Sequence, residues 1–143
     1  MNDSSLLYPV LAMVLLTAIV TVLLYRRRAG EMKARRISPQ SVAAARDMAG
    51  KLDDVRAADN YRNLVEAPVL FYTAMLAATI THGTTGALVA LAWIYVVLRY
   101  VHSYIHCTYN RVMHRFTAFA LSMLVLLLIW LLVAWQIVQF PRH

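Results

Sequence analysis

Four apolar runs alternate with polar connections along the chain. The first, Leu6 to Tyr25, is twenty residues without a charge. At 1.5 Å rise per residue, about 20 residues cross a hydrocarbon core of about 30 Å. Pro9 stands in its first turn, where a missing N–H costs least. The second run opens at Arg62-Asn63-Leu64-Val65-Glu66-Ala67-Pro68 and continues to about His82, with Pro68 near its start. The third extends from about Ala87 toward His106. The fourth, Phe116 to Val138, has 23 uncharged residues, enough to span with some tilt. The pattern predicts helices over about 6–25, 63–82, 87–106 and 115–138, in a single membrane domain covering 1–143. The fold class is all-α, a four-helix transmembrane bundle.

The connections set the expected topology. Residues 26–62 carry ten Lys/Arg against five Asp/Glu, densest from Arg26 to Arg36, so the positive-inside rule puts this stretch in the cytoplasm. Within it Ser38-Pro39-Gln40 is a break, Ser41 is a candidate cap for a short helix through about Met48, and Gly50 is its candidate end. His82-Gly83-Thr84-Thr85-Gly86 has two glycines and no Lys or Arg, which marks a tight outside turn. Tyr109 to His114 is basic and cytoplasmic again. Both termini are then outside, including the tail Gln139-Phe140-Pro141-Arg142-His143. A cleaved signal peptide would need positive charge before the first run. Here Arg26, Arg27 and Arg28 follow it, which favours a retained helix.

Composition agrees with this pattern. The chain has 143 residues, 61% of them hydrophobic, too many for a soluble domain of this size to bury. The net charge of +7 lies beside the apolar runs, where it serves topology and contact with membrane lipid rather than nucleic acid. One cysteine excludes an internal disulfide and any multi-cysteine site built by one chain.

Candidate chemistry concentrates in Arg99–Arg115, which holds three of the five histidines, the cysteine and three arginines. Arg99 lies roughly 10 Å along the helix from His106, at membrane depth. Ionisable residues there are costly and point to a protein interior or a water-filled cavity. Arg99, His102 and His106 follow i, i+3, i+7 on one stripe, and Arg115, Phe119 and Ser122 form another. Asn63 and Glu66 share a face at the same end of the second helix. Arginines with one carboxylate suit a small, mostly anionic ligand that also carries an amine. The competing structural reading has Asn63 as helix cap, Glu66 as a first-turn acid, or a Glu66–Arg99 ion pair specifying the bundle. His102 and His106 also have the i, i+4 spacing of helical metal ligands, but no complete first shell is visible, so no metal is assigned. Cys107 points off the histidine stripe and is read as a bystander. Tyr100, Tyr104 and Tyr109 are read as interfacial belt residues.

Asn63-x-x-Glu66 followed closely by Pro68, then Arg99-x-x-His102 with Arg115 sixteen residues after Arg99, resembles the MAPEG family, the membrane-associated proteins in eicosanoid and glutathione metabolism, and specifically a bacterial-type member. Length, helix count and the long basic first connection match as well. The resemblance implies a homotrimer in a bacterial inner membrane, with sites between subunits facing the cytoplasm and glutathione as co-substrate. By position, Asn63, Glu66, Arg99 and His102 resemble the residues that hold the tripeptide, and Arg115 resembles the arginine that stabilises the thiolate. Arg26, or its neighbours Arg27 and Arg28, matches a ligand-reaching arginine of the first helix. His106 stands where the family has a tyrosine, Phe119 is not a tyrosine, and Asp59 stands where an arginine is common. A rival register puts Arg111 in the thiolate role. The implied activity is a glutathione-dependent transferase or peroxidase acting on a lipophilic electrophile or hydroperoxide. The alternative is a non-catalytic trimer that binds a lipid or anionic metabolite in the same cleft.

Overall fold

The computed structural model describes residues 3–139. A 3-10 turn at Asp3–Leu6 leads into α1 (Leu7–Ala34), followed by a second 3-10 turn at Pro39–Val42 and the short α2 (Ala45–Lys51). The remaining helices are α3 (Arg56–Glu66), α4 (Pro68–Ile80), α5 (Gly86–Cys107) and α6 (Val112–Gln139). No strand occurs among the described residues. Four helical stretches are long and apolar enough to cross a membrane: 4–34, 56–80, 86–107 and 112–139. Residues 140–143 of the tail expected outside lie outside the described residues.

The helices outrun their apolar segments. Apolar length reports the membrane crossing, whereas the helix continues wherever backbone bonds and helix formers allow. So α1 continues nine residues beyond Tyr25 and ends where Arg36 takes a left-handed φ of 55°, with Ile37 N–H bonded to Met32 O. Likewise α3 begins at Arg56, well before Arg62. Pro68 is the first residue of α4, where a missing N–H costs least, and Ala67, the one residue between it and α3, keeps helical dihedrals. Asn63 consequently caps nothing, and Glu66 lies in a last turn rather than a first. Ser41 also caps no helix; it falls inside the second 3-10 turn, and α2 runs through Gly50 to Lys51.

Helix packing relies on close approach as well as apolar fill. Ala57, Ala74, Ala78, Ala92, Ala118 and Ser122 are buried at the contacts, and small residues let membrane helices approach where lipid removes the hydrophobic drive. Phe71 stacks on Tyr95 at 4.6 Å between centroids. Tyr100 donates to Ala12 O at 2.8 Å, so it ties α5 to α1 rather than standing in an interfacial belt; Tyr104 and Tyr109 are exposed. Outward faces stay apolar and exposed, as with Leu11, Leu15 and Ile19 on α1 and Leu124, Leu128 and Leu131 on α6. The most buried span is α5, at 44% of its central window against 28–33% for the others. The helix with the densest polar stripe is thus the one the bundle surrounds.

Two ends can be distinguished. At one, Thr85 caps α5 by accepting from Leu88 N–H, and Gln136 of α6 donates to the Thr85 hydroxyl. The left-handed residue in this turn is His82 (φ 51°), not a glycine. Gly83 is close-packed instead: a Cβ there would lie 2.7 Å from Gln136 Oε1 and push that side chain aside. At the other end, Arg27 donates to Cys107 O at 2.6 Å and Arg56 to Thr108 O at 2.8 Å, satisfying carbonyls that the end of α5 leaves unpaired. Asp54 lies between these arginines, 2.9 Å from Arg56 and 3.3 Å from Arg27.

Candidate functional site

The site is built on α5. Arg99, His102 and His106 are 0%, 3% and 6% exposed, all on the inward stripe. Arg99 Nη2 donates to the side-chain carbonyl of Asn63, and more weakly to Asn63 O at 3.4 Å. Its guanidinium carbon lies 5.8 Å from the centre of the Phe119 ring. Arg99 Nε and Nη1 are buried without a hydrogen-bond partner, and no carboxylate pairs with this cation among the described residues. The Glu66–Arg99 ion pair is therefore not formed. Ala57, Asn60 and Leu64 mark the buried face of α3, and Asn63 stands at its edge. Three residues on, Glu66 is rotated roughly 60° further away and is exposed.

The two histidines are oriented by α6. His102 Nδ1 lies 3.1 Å from Arg115 O. A carbonyl only accepts, so Nδ1 carries the proton and neutral His102 presents Nε2 as a bare acceptor, buried and without a partner. Arg115 Nη1 donates to His106 Nε2 at 3.2 Å and to Asn110 Oδ1 at 2.7 Å. Nε2 of His106 is thus its acceptor nitrogen, and Nδ1 faces inward without a partner. The rings of His102 and His106 meet edge to face at 5.5 Å, and no group of three potential metal ligands forms among the described residues.

These groups border a cleft of about 260 Å³ between α3, α5 and α6. Asp59 and Asn63 line it from α3, His102 and His106 from α5, Arg115 and Phe119 from α6, with the exposed Val112 and Phe116 at its outer edge. One guanidinium, two imidazole rings and an apolar rim thus share one small space. It can hold an anionic group against arginine while an apolar molecule approaches across the rim.

A family model described as the MAPEG family matches residues 6–135. The chain belongs to the MAPEG family. No curated protein and no solved structure matches it. Membership makes this a membrane protein of the glutathione and eicosanoid metabolism family, and the four spanning helices agree with it.

Of the residues matched to the MAPEG pattern, Asn63, His102, His106 and Arg115 line the cleft, and Arg99 lies behind its wall, against Asn63 and Phe119. Glu66 and Arg26 do not: both are exposed and neither borders it. Arg27 is the arginine of that trio turned inward, but its guanidinium is engaged by Cys107 O and Asp54. Arg28 lines a separate polar cavity. Arg111 is exposed and does not border the cleft.

Two positioning residues escaped the sequence reading. Asn110 adopts a left-handed φ of 49° in the α5–α6 turn, a conformation asparagine tolerates better than most residues. Its presence between two helices was the available signal. Asn60 is fully buried, donates to Cys107 Sγ at 3.4 Å and accepts from Ser103 Oγ at 3.2 Å. Nothing in its spacing set it apart from a surface polar residue of the basic connection.

Proposed function

We propose that the chain is a glutathione-dependent transferase or peroxidase acting on lipophilic electrophiles or hydroperoxides delivered from the membrane. The observation that carries this reading is Arg99, wholly buried beside the cleft, with two guanidinium nitrogens unpartnered and no carboxylate to neutralise it. A buried unpaired cation is costly, and an anionic ligand removes that cost. Glutathione supplies carboxylates for arginine and a thiol for the imidazole end of the cleft.

Arg115 would act on sulfur. A guanidinium beside a thiolate favours the charged form and so raises the nucleophile concentration. His102 Nε2 is a free acceptor for the S–H. With an electrophile, the thiolate attacks carbon, an S–C bond forms and the leaving group departs with its electron pair. With a hydroperoxide, sulfur attacks the terminal oxygen and the O–O bond breaks to give alcohol and a sulfenic acid, which a second glutathione converts to disulfide. The apolar rim of Val112, Phe116 and Phe119 suits a substrate that arrives through lipid.

In this reading the cleft faces the cytoplasm of an inner membrane, because the basic connections lie at its end of the bundle. A homotrimer completes the site: the cleft opens at the α3–α6 surface, and Glu66 is exposed where a neighbouring copy could bring it to a ligand. The test is a glutathione titration of detergent-purified protein, following thiolate absorbance in the near ultraviolet for wild type and Arg115→Ala. Thiolate at neutral pH that disappears in the variant supports the proposal. Absence of both thiolate and calorimetric binding in wild type overturns it. Binding without thiolate in wild type would favour a non-catalytic ligand-binding role for the same cleft.

A further inference from the structure

Five of the seven side-chain nitrogen and oxygen atoms buried without a hydrogen-bond partner among the described residues lie on α5. They are Tyr95 Oη, Arg99 Nε and Nη1, His102 Nε2 and His106 Nδ1; the other two belong to Thr84 and Gln136 at the far end of the bundle. The four α5 residues stand at i, i+4, i+7 and i+11, which is one face of a helix. The stripe is about 16 Å long. Tyr95 is its inner end, one turn deeper in the bundle than Arg99. Its ring is wholly buried and stacked on Phe71, and it does not line the cleft.

These atoms are complementary, yet none bonds another. Arg99 Nε and Nη1 only donate. His106 Nδ1 also donates, since its Nε2 accepts from Arg115. His102 Nε2 only accepts, and the Tyr95 hydroxyl does both. Native proteins satisfy nearly all such buried atoms, with protein groups or with ordered water. The group that satisfies this set must both donate and accept. An anion meets the Arg99 donors but turns a second acceptor toward the lone pair of His102. A cation is repelled by Arg99. Water meets both, and a buried water typically makes about three hydrogen bonds.

The surroundings leave room for it. The buried residues of α6 on either side of Phe119 are Ala118 and Ser122, both small. The Ser122 hydroxyl donates to Phe119 O at 2.7 Å, so its proton is already committed. The Phe119 ring centre lies 5.8 Å from the Arg99 guanidinium carbon and 5.8 Å from the His102 ring centre. Phe119 thus screens the stripe from the mouth of the cleft that it also lines.

We propose that this stripe holds a file of ordered water that runs inward from His102 to Tyr95, with Arg99 at its middle. Water on the cleft side of Arg99 accepts from the guanidinium and donates to His102 Nε2. Water on the inner side accepts from the guanidinium and meets the Tyr95 hydroxyl. The buried cation is therefore hydrated at membrane depth, and Arg99 acts on a bound anion through water rather than by contact. The file itself does not depend on the thiol reading of the cleft. Its response to a ligand rests on that reading: an entering thiol takes over the His102 end and leaves the inner water in place.

The test is X-ray radiolytic footprinting of the full-length protein in detergent, read residue by residue by mass spectrometry. Hydroxyl radicals formed from water beside a side chain oxidise it even where bulk solvent does not reach. Wild type is oxidised at Tyr95, while Met13, as fully buried among apolar neighbours and readily oxidised, stays unmodified. Arg99→Met removes the central donor, and the Tyr95 label falls to the level of Met13. An unfolded variant would gain label at Met13 instead, so loss of fold is not mistaken for loss of water. Saturating glutathione protects His102 and leaves the Tyr95 label unchanged. An unlabelled Tyr95 in wild type overturns the proposal, as does a Tyr95 label that survives in folded Arg99→Met. Loss of the Tyr95 label on adding glutathione would put the ligand itself on Arg99 and overturn the water bridge. A failure of the thiol reading shows separately, as a His102 label that glutathione does not change while Tyr95 remains labelled.

Discussion

Asn63 and Arg99 meet across the α3–α5 contact, with the amide oxygen of Asn63 accepting from Arg99 Nη2, so an amide and not a carboxylate holds the buried cation. Such a cation is expensive for the empty protein. Replacing it with an apolar side chain of similar length removes the unmet charge while keeping the volume. Arg99→Met is expected to leave the thermal midpoint in detergent unchanged or raised, and to weaken glutathione binding by about tenfold or more. Asn63→Leu, which leaves the guanidinium only its weak bond to the backbone carbonyl of residue 63, should instead destabilise by about 1–3 kcal/mol. Thermal unfolding paired with calorimetric titration separates the two outcomes. A large stability loss in Arg99→Met would contradict this account.

Asn110 performs two tasks that substitution can divide. Its backbone is left-handed, and its side chain accepts from Arg115. Asn110→Gly keeps the turn and removes only the acceptor. Asn110→Ala removes the acceptor and adds the left-handed penalty of about 1–2 kcal/mol. Both variants should lose thiolate signal because Arg115 keeps only its longer bond to His106, but only the alanine variant should show a lowered midpoint. Equal thiolate signal in Asn110→Gly and wild type would mean that His106 alone orients Arg115.

Much of this architecture was legible in the chain because a bilayer demands long apolar runs and marks their ends with charge. The stripe Arg99, His102 and His106 was legible for the same reason: three polar residues at helical spacing within an apolar helix have few places to go, and all three are buried. Less accessible was anything that depends on which helix face meets which. Glu66 follows Asn63 at i+3, a spacing that suggested a shared site, yet Asn63 stands at the edge of the buried face and that offset carries Glu66 outward. The basic run from Arg26 to Arg28 showed charge but not direction. One arginine is exposed, one is engaged at the end of α5, and one lines a separate pocket. Pro68 signalled the start of a helix correctly, but not that another helix, α3, leads up to it from Arg56 with only Ala67 between.

Gly83 and Gln136 form a tight contact at the opposite end of the bundle. A methyl group on Gly83 would stand 2.7 Å from Gln136 Oε1, closer than carbon and oxygen pack. That atom ends a flexible side chain, so Gln136 can swing aside, and Gly83→Ala is expected to cost about 0.5–1.5 kcal/mol, the contribution of the Gln136–Thr85 hydrogen bond it would give up. In a Gln136→Ala background the same change should cost little. A double-mutant cycle by thermal unfolding measures the coupling, and strictly additive effects would show that the contact is not the cause.

Asp54 links the basic connection to the end of α5, and its contribution has a defined pH dependence. The hydrogen bonds from Arg56, followed by the nearby charge of Arg27, hold its carboxyl below the ordinary value of 3.8. Above 3.8 the carboxylate is ionised in folded and unfolded chains alike, and the pairing contributes fully. As pH falls through 3.8 the unfolded chain takes up the proton first, so the contribution shrinks; it is gone once pH passes below the folded value. The group is partly exposed, so the effect is modest and screened by salt. Other carboxyls titrate in the same range, which makes the difference between wild type and Asp54→Asn the informative quantity. That difference in thermal midpoint should be constant from neutral pH to about 5 and should vanish on further acidification. A difference that persists at the acid end would mean that the aspartate acts through packing or backbone geometry instead of charge.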